Sequence, residues 1–134
     1  MGCDVHMHVE VKVGGRWEHY SHPRIQRNYR LFGLLAGVRN TDVLPIVEPK
    51  GLPEDMSLIT KTDYEYYKDE GHTESWFNRN EIRELFEVMD EDCDLPDSTV
   101  FGYANGNCLT TIGELDSGHP GAYEEVRLVF WFDN

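Results

Sequence analysis

Near its N-terminus the chain reads Asp4-Val5-His6-Met7-His8-Val9-Glu10-Val11-Lys12-Val13, alternating without a break between ionisable and apolar side chains. Successive residues of a strand point to opposite faces. The pattern therefore predicts a strand with Val5, Met7, Val9, Val11 and Val13 on one face. Asp4, His6, His8, Glu10 and Lys12 share the other. Gly14-Gly15 is a two-residue hairpin signal, and Arg16-Trp17-Glu18-His19-Tyr20 can run back as the partner strand.

Ser21-His22-Pro23-Arg24 ends this hairpin. Leu31, Leu34, Leu35 and Val38 then recur at helical spacing, with Asn28 as a cap and Gly37 near the end. Residues 40–72 read as irregular, punctuated by Pro45, Pro49, Gly51 and Pro53; a connection this long is either a functional loop or a surface wrap. A second helix has a sharper start. Asn78 and Glu81 form a capping-box pattern, Phe77 and Ile82 are placed as a hydrophobic staple, and Ile82, Leu85, Phe86 and Met89 make a core-facing stripe. Asp90, Asp92 and Asp94 have calcium-loop spacing, but Leu95 and Phe101 stand where an EF-hand needs Gly and Glu. Val100–Tyr103 and Cys108–Ile112 read as short strands around Asn105-Gly106. The closing Val126-Arg-Leu-Val-Phe-Trp-Phe132 is β-prone and almost continuously apolar, which predicts a central strand covered on both faces.

These elements predict a single α+β domain over residues 1–134: an antiparallel or mixed sheet with an N-terminal β-hairpin, two short helices and long loops. The 40% hydrophobic content suits a folded core, and the longest apolar runs are too short to span a bilayer. No secretion signal is visible. His6 occupies the position where a myristoylation motif needs Ser or Thr. Three cysteines, Cys3, Cys93 and Cys108, with no Cys-x-x-Cys pair, fit a reducing cytoplasm. The net charge of −13 would repel a phosphate backbone, so extended nucleic acid is not an expected ligand.

The alternating strand carries the first candidate chemistry. Alternate side chains lie about 7 Å apart along a strand, so Asp4, His6 and His8 can face one pocket. Carboxylate and imidazole suit a divalent transition metal, Zn, Mn or Fe. His72, in Gly71-His72-Thr73-Glu74, is the expected distant ligand, from a loop that bends toward the sheet. A merely solvated polar face is the competing reading of the same pattern. The second constellation is Pro23-Arg24-Ile25-Gln26-Arg27-Asn28-Tyr29-Arg30, whose arginines beside a helix start can bind phosphate or carboxylate. Lys50 would add a donor. Salt bridging to the acidic stretches is the alternative for these cations.

Asp-x-His-x-His resembles the first metal-binding strand of amidohydrolases and PHP-type phosphoesterases. The resemblance covers five residues, and those large barrels do not fit in 134 residues, so it implies the chemistry and not the fold. On a longer scale, Gly-Cys-Asp-Val-His, Arg27-Asn-Tyr-Arg-Leu-Phe-Gly-Leu-Leu-Ala-Gly-Val-Arg39, Glu48-Pro-Lys-Gly-Leu-Pro-Glu-Asp55 and Val129-Phe-Trp-Phe-Asp-Asn134 resemble blocks of a group of short bacteriophage and bacterial proteins. That resemblance implies an intracellular role during infection, in the host cytoplasm, and carries no activity with it.

The function expected from these features is a small metal-dependent hydrolase, a phosphodiesterase acting on a nucleotide-like small molecule. Asp4, His6, His8 and His72 would hold the metal, and Glu10 or Glu74 would act as general base. Arg24, Arg27, Tyr29 and Lys50 would bind the anionic substrate. The alternative is a non-catalytic phage protein that sequesters a nucleotide signal or inhibits a host defence protein. Homo-oligomers and a host protein target are compatible partners; a membrane is not expected.

Overall fold

A computed structural model describes residues 2–25, 27–91 and 123–134. Strand β1 (Asp4–Val13) turns through Gly14-Gly15 into β2 (Arg16–Ser21). Both glycines have positive φ, 59° and 76°, as a type I′ hairpin turn requires of its central pair. Helix α1 (Tyr29–Ala36), helix α2 (Leu58–Tyr67), strand β3 (Gly71–Phe77), helix α3 (Arg79–Glu91) and strand β4 (Glu125–Asp133) follow. The fold is α+β, and the sheet has the order β2-β1-β4-β3 with every neighbouring pair antiparallel. The expected turn at Asn105-Gly106, its two flanking strands, Cys93, Cys108 and the Asp92–Asp94 spacing all lie outside the described residues. No described helix is long and apolar enough to cross a membrane.

The alternation sorts side chains as expected up to Val11, whereas Val13, beside the hairpin turn, is exposed. Val5, Met7, Val9 and Val11 are buried with Val126, Leu128, Phe130 and Phe132 of β4. Leu31, Phe32 and Leu35 of α1 and Ile82 and Leu85 of α3 complete this core. The β4 register then fixes the opposite face: His6 pairs with Trp131, His8 with Val129 and Glu10 with Arg127. Because β4 is an inner strand, buried on both faces, it needs the near-continuous apolar run that the sequence shows.

Helix starts follow the local chemistry. Asn28 Oδ1 accepts from Leu31 N–H at 3.0 Å, and α1 stops at Gly37, which takes the left-handed conformation at φ 71°. In α3 the capping box is reciprocal: Asn78 N–H donates to Glu81 Oε1 at 2.8 Å, and Glu81 N–H donates to Asn78 Oδ1 at 2.9 Å. The burial of Phe86 and Met89 lies outside the description.

Two corrections concern residues 40–74. The stretch read as irregular contains α2, capped by Ser57, whose hydroxyl accepts from Thr60 N–H. His72 and Glu74, expected in a loop, belong to strand β3. A hydrophobic stripe could not reveal α2, because the helix packs on the polar face of the sheet. Its buried residue is Thr60, and its contacts are made by Asp63, Tyr64 and Tyr67.

Candidate metal centre

The middle of the polar face of β1 is covered, while Asp4 and Lys12 at its ends are partly exposed. His8 is 1% exposed and Glu10 is fully buried. A buried carboxylate needs compensation. Glu10 Oε1 accepts from Arg127 Nε at 2.8 Å, and Glu10 Oε2 accepts from Ser57 N–H at 2.8 Å. Burial pushes the Glu10 carboxyl up, but hydrogen bonds from Ser57, Thr60 and Arg127 outweigh it and hold the group below its ordinary range. Arg127 also reaches Asp55 at 2.9 Å and stacks on Trp17, with its guanidinium carbon 3.9 Å from the ring centroid. Glu10 thus joins β1, β4 and the start of α2, and both its oxygens are occupied. The residue expected as a general base is therefore enclosed in an ion-pair and hydrogen-bond network.

One step along β1, four polar residues converge. His8 Nε2 lies 2.7 Å from Asp63 Oδ2 on α2, and His8 Nδ1 lies 2.9 Å from His19 Nε2 on β2. His22 stacks on His8 with ring centroids 4.1 Å apart and planes at 18°, and its Nε2 is 3.8 Å from the same Asp63 oxygen. The pairing of β1 with β2 explains how His19 and His22 reach the site. Register slips between Val9 and Glu10, so that Val9 pairs with Ser21 but Glu10 with His19, leaving Tyr20 unpaired. Such a bulge re-aims the residues beside it. Ligand atoms of His8, His22 and Asp63 all lie within 4.8 Å of one another.

Electrostatics keep these rings neutral. Burial pushes the His8 imidazole down to about 4, against the partial restoring pull of its hydrogen bond to Asp63. Burial also lowers His19 and His22. Of two proton arrangements, the first satisfies both His8 contacts. The second keeps the His19 contact and sets two acceptors, His8 Nε2 and Asp63 Oδ2, 2.7 Å apart, a contact that only a cation between them makes favourable. In the first, His8 Nε2–H donates to Asp63 and His19 Nε2–H donates to His8 Nδ1. In the second, His8 Nδ1–H donates to His19 and the Nε2 lone pair is left free toward Asp63 and His22. The second is a ligand geometry: an unprotonated imidazole nitrogen, its orientation fixed from behind by a hydrogen bond.

The other expected site residues are dispersed. His6 is on the same face, with Nε2 2.6 Å from Asp133 Oδ2 and its ring stacked on Tyr67 at 4.1 Å. Asp4 is held by Arg27 in two hydrogen bonds, of 2.7 and 3.2 Å, and that contact lowers its carboxyl. Arg27 and Asp4 therefore satisfy each other. Tyr29 hydroxyl accepts from Cys3 N–H at 3.2 Å. Lys50 Nζ donates to Glu81 at 2.6 Å and sits 3.6 Å from the Trp76 ring centroid, so its charge is taken up locally. Glu74 accepts from Tyr64 hydroxyl at 3.4 Å. His72 bonds Thr73 and Asn134 and stacks beside Phe132, a side chain of the apolar core, so it does not join His6 and His8.

Of the expected metal ligands, only His8 is in the cluster; His22 and Asp63 are its unexpected members. In the sequence His22 reads only as part of the strand break, and no motif marks Asp63 as a ligand. The nearest sequence signal for Asp63 is the Ser57 cap, which starts a helix and fixes the face on which position 63 falls. No protein-family model, curated protein or solved structure matches the chain, and the functional reading rests on this geometry.

Proposed function

We propose that this protein is a small metal-dependent hydrolase of phosphoesters, with His8, His22 and Asp63 holding one divalent ion, Zn, Mn or Fe. The observation that carries the reading is the convergence of two imidazoles and a carboxylate, with ligand atoms within 4.8 Å, beside an open pocket. Three protein ligands with solvent on one side are the arrangement of a catalytic site, which keeps a position for water. Bound there, the ion would lower the pKa of that water and polarise a phosphoryl oxygen. His19 acts from behind, accepting from His8 Nδ1–H and fixing the tautomer. Arg24, expected from the sequence as a substrate ligand, supports the phosphoester reading: it lines the cleft that His22 also lines.

The direct test is hydrolysis of bis(4-nitrophenyl) phosphate by untagged protein with added Zn, Mn or Fe. The expected outcome is metal-dependent release of 4-nitrophenolate, abolished by EDTA and by Asp63→Asn or His22→Ala. Release that is independent of metal, or unchanged in both variants, contradicts the reading.

A second reading, a cytoplasmic binding protein that sequesters a nucleotide signal without turnover, is favoured by one observation. The pocket has an apolar wall well suited to holding a ligand. Denaturing the purified complex separates the two: intact ligand indicates sequestration, and product indicates an enzyme.

A further inference from the structure

The pocket next to the cluster has a wall that a metal ion does not need. Leu58, Ile59 and Tyr66 are 78%, 57% and 81% exposed on α2. With Thr62 they line a pocket of about 540 Å³ whose polar end is His8, His22 and Asp63. Positions 58, 59, 62 and 66 fall on one stripe of a helix. Single exposed apolar residues are ordinary, but a contiguous group beside a polar centre marks a binding surface. His22 also borders a second cleft, of about 380 Å³, lined by Asp4, His6, Arg24, Ile25 and Tyr67, in which the Asp4 carboxylate is already paired with Arg27. Both volumes suit small molecules. Arg24 is exposed and forms no hydrogen bond or ion pair among the described residues, in a chain of net charge −13. Arg27 and Lys50, by contrast, are already paired with carboxylates.

We propose that the two clefts receive the two halves of one ligand: a planar heteroaromatic base against Leu58, Ile59 and Tyr66, and its phosphate at Arg24, with His22 between them. The substrate class is then a nucleotide, and the three α2 side chains set its base selectivity. This proposal rests on the reading of His22 as a ligand at the reacting centre. Charge complementarity selects the occupant. An apolar peptide would leave Arg24 unused and would cover His22 and Asp63 with carbon, and a second copy of this chain would bring its own net charge of −13 against a surface of the same sign. Free phosphate would leave the wall unused. A nucleotide uses all three regions, stacking or packing its base on the wall and accepting charge-assisted hydrogen bonds from the guanidinium.

The test is calorimetric titration of zinc-loaded protein with adenosine 5′-monophosphate, adenosine and inorganic phosphate. Zinc content is read separately by elemental analysis, so a failure to hold metal counts against the hydrolase reading alone. The nucleotide is expected to bind at least about tenfold more tightly than phosphate. Ile59→Asp and Tyr66→Ala, both at exposed positions, should each weaken nucleotide binding about tenfold while leaving phosphate binding unchanged. Arg24→Gln should weaken nucleotide and phosphate but not adenosine. Equal affinities for nucleotide and phosphate, no binding of any of the three, or silent wall variants would overturn the proposal. It also falls if the wall variants leave nucleotide binding intact and convert an oligomer to monomer in sedimentation, because the wall is then a contact between copies.

Discussion

His8 ties the candidate chemistry to stability. Its ring is 1% exposed, and a proton added there would put positive charge into the layer between sheet and helix. The folded-state value is about 4, against about 6.5 in an unfolded chain. Between those values the unfolded chain binds more protons than the folded one, so stability rises with pH. The contribution is complete above the unfolded value and is lost as pH falls from there through the folded value. Metal-free protein should therefore be about 2 kcal/mol less stable at pH 5 than at pH 7 through His8 alone. His19 and His22, also lowered by burial, add loss of the same sign. Urea unfolding in EDTA reads this directly, and His8→Gln should flatten the slope. A slope no smaller in that variant than in the wild type would mean that His8 protonates freely in the folded state. The alternation in the sequence identifies the face on which His8 lies, because period two fixes faces without tertiary information. It cannot identify His22 or Asp63 as partners, because the bulge in β2 and the placement of α2 bring them in, and neither leaves a periodic trace.

At the scale of elements, α1 and α3 were legible because each pairs a cap with an apolar stripe, and the structure shows both caps formed. Helix α2 was not legible. It faces Glu10, His8 and Trp131, so its inner residues are Thr60, Asp63, Tyr64 and Tyr67, and its apolar residues point outward. A stripe rule assumes that the surface being covered is apolar, and here it is not. The Ser57 cap was the available signal. Ser57→Ala and Asn78→Ala should each cost about 1 kcal/mol, the usual loss for a cap. The two caps start different helices on opposite faces of the sheet, so the double variant should show the sum of the single losses. Ser57→Ala has a second expected effect: by loosening the start of α2 it should weaken metal retention through Asp63, whereas Asn78→Ala should not. Equal metal retention in the two variants would show that the first turn of α2 does not position Asp63.

Across the whole molecule, the antiparallel sheet divides two kinds of packing. One face is an apolar core against α1 and α3. The other is a polar layer of ion pairs, stacked rings and histidines under α2. The inner strands β1 and β4 serve both, which explains why one alternates and the other is almost wholly apolar. β1 supplies the polar groups, while β4 contributes Arg127, Val129 and Trp131 beside them. A solvated polar face would not need Glu10 and His8 fully covered, so the layer acts to hold groups in place, and the metal is the central claim about what they hold. Elemental analysis of untagged protein, purified without chelator and dialysed after exposure to Zn, Mn and Fe, tests that claim most directly. The expected result is close to one equivalent of transition metal per chain, lost in His8→Ala and in Asp63→Asn with the fold retained by circular dichroism. A folded wild-type protein that retains no metal, or variants that retain as much as the wild type, would contradict it.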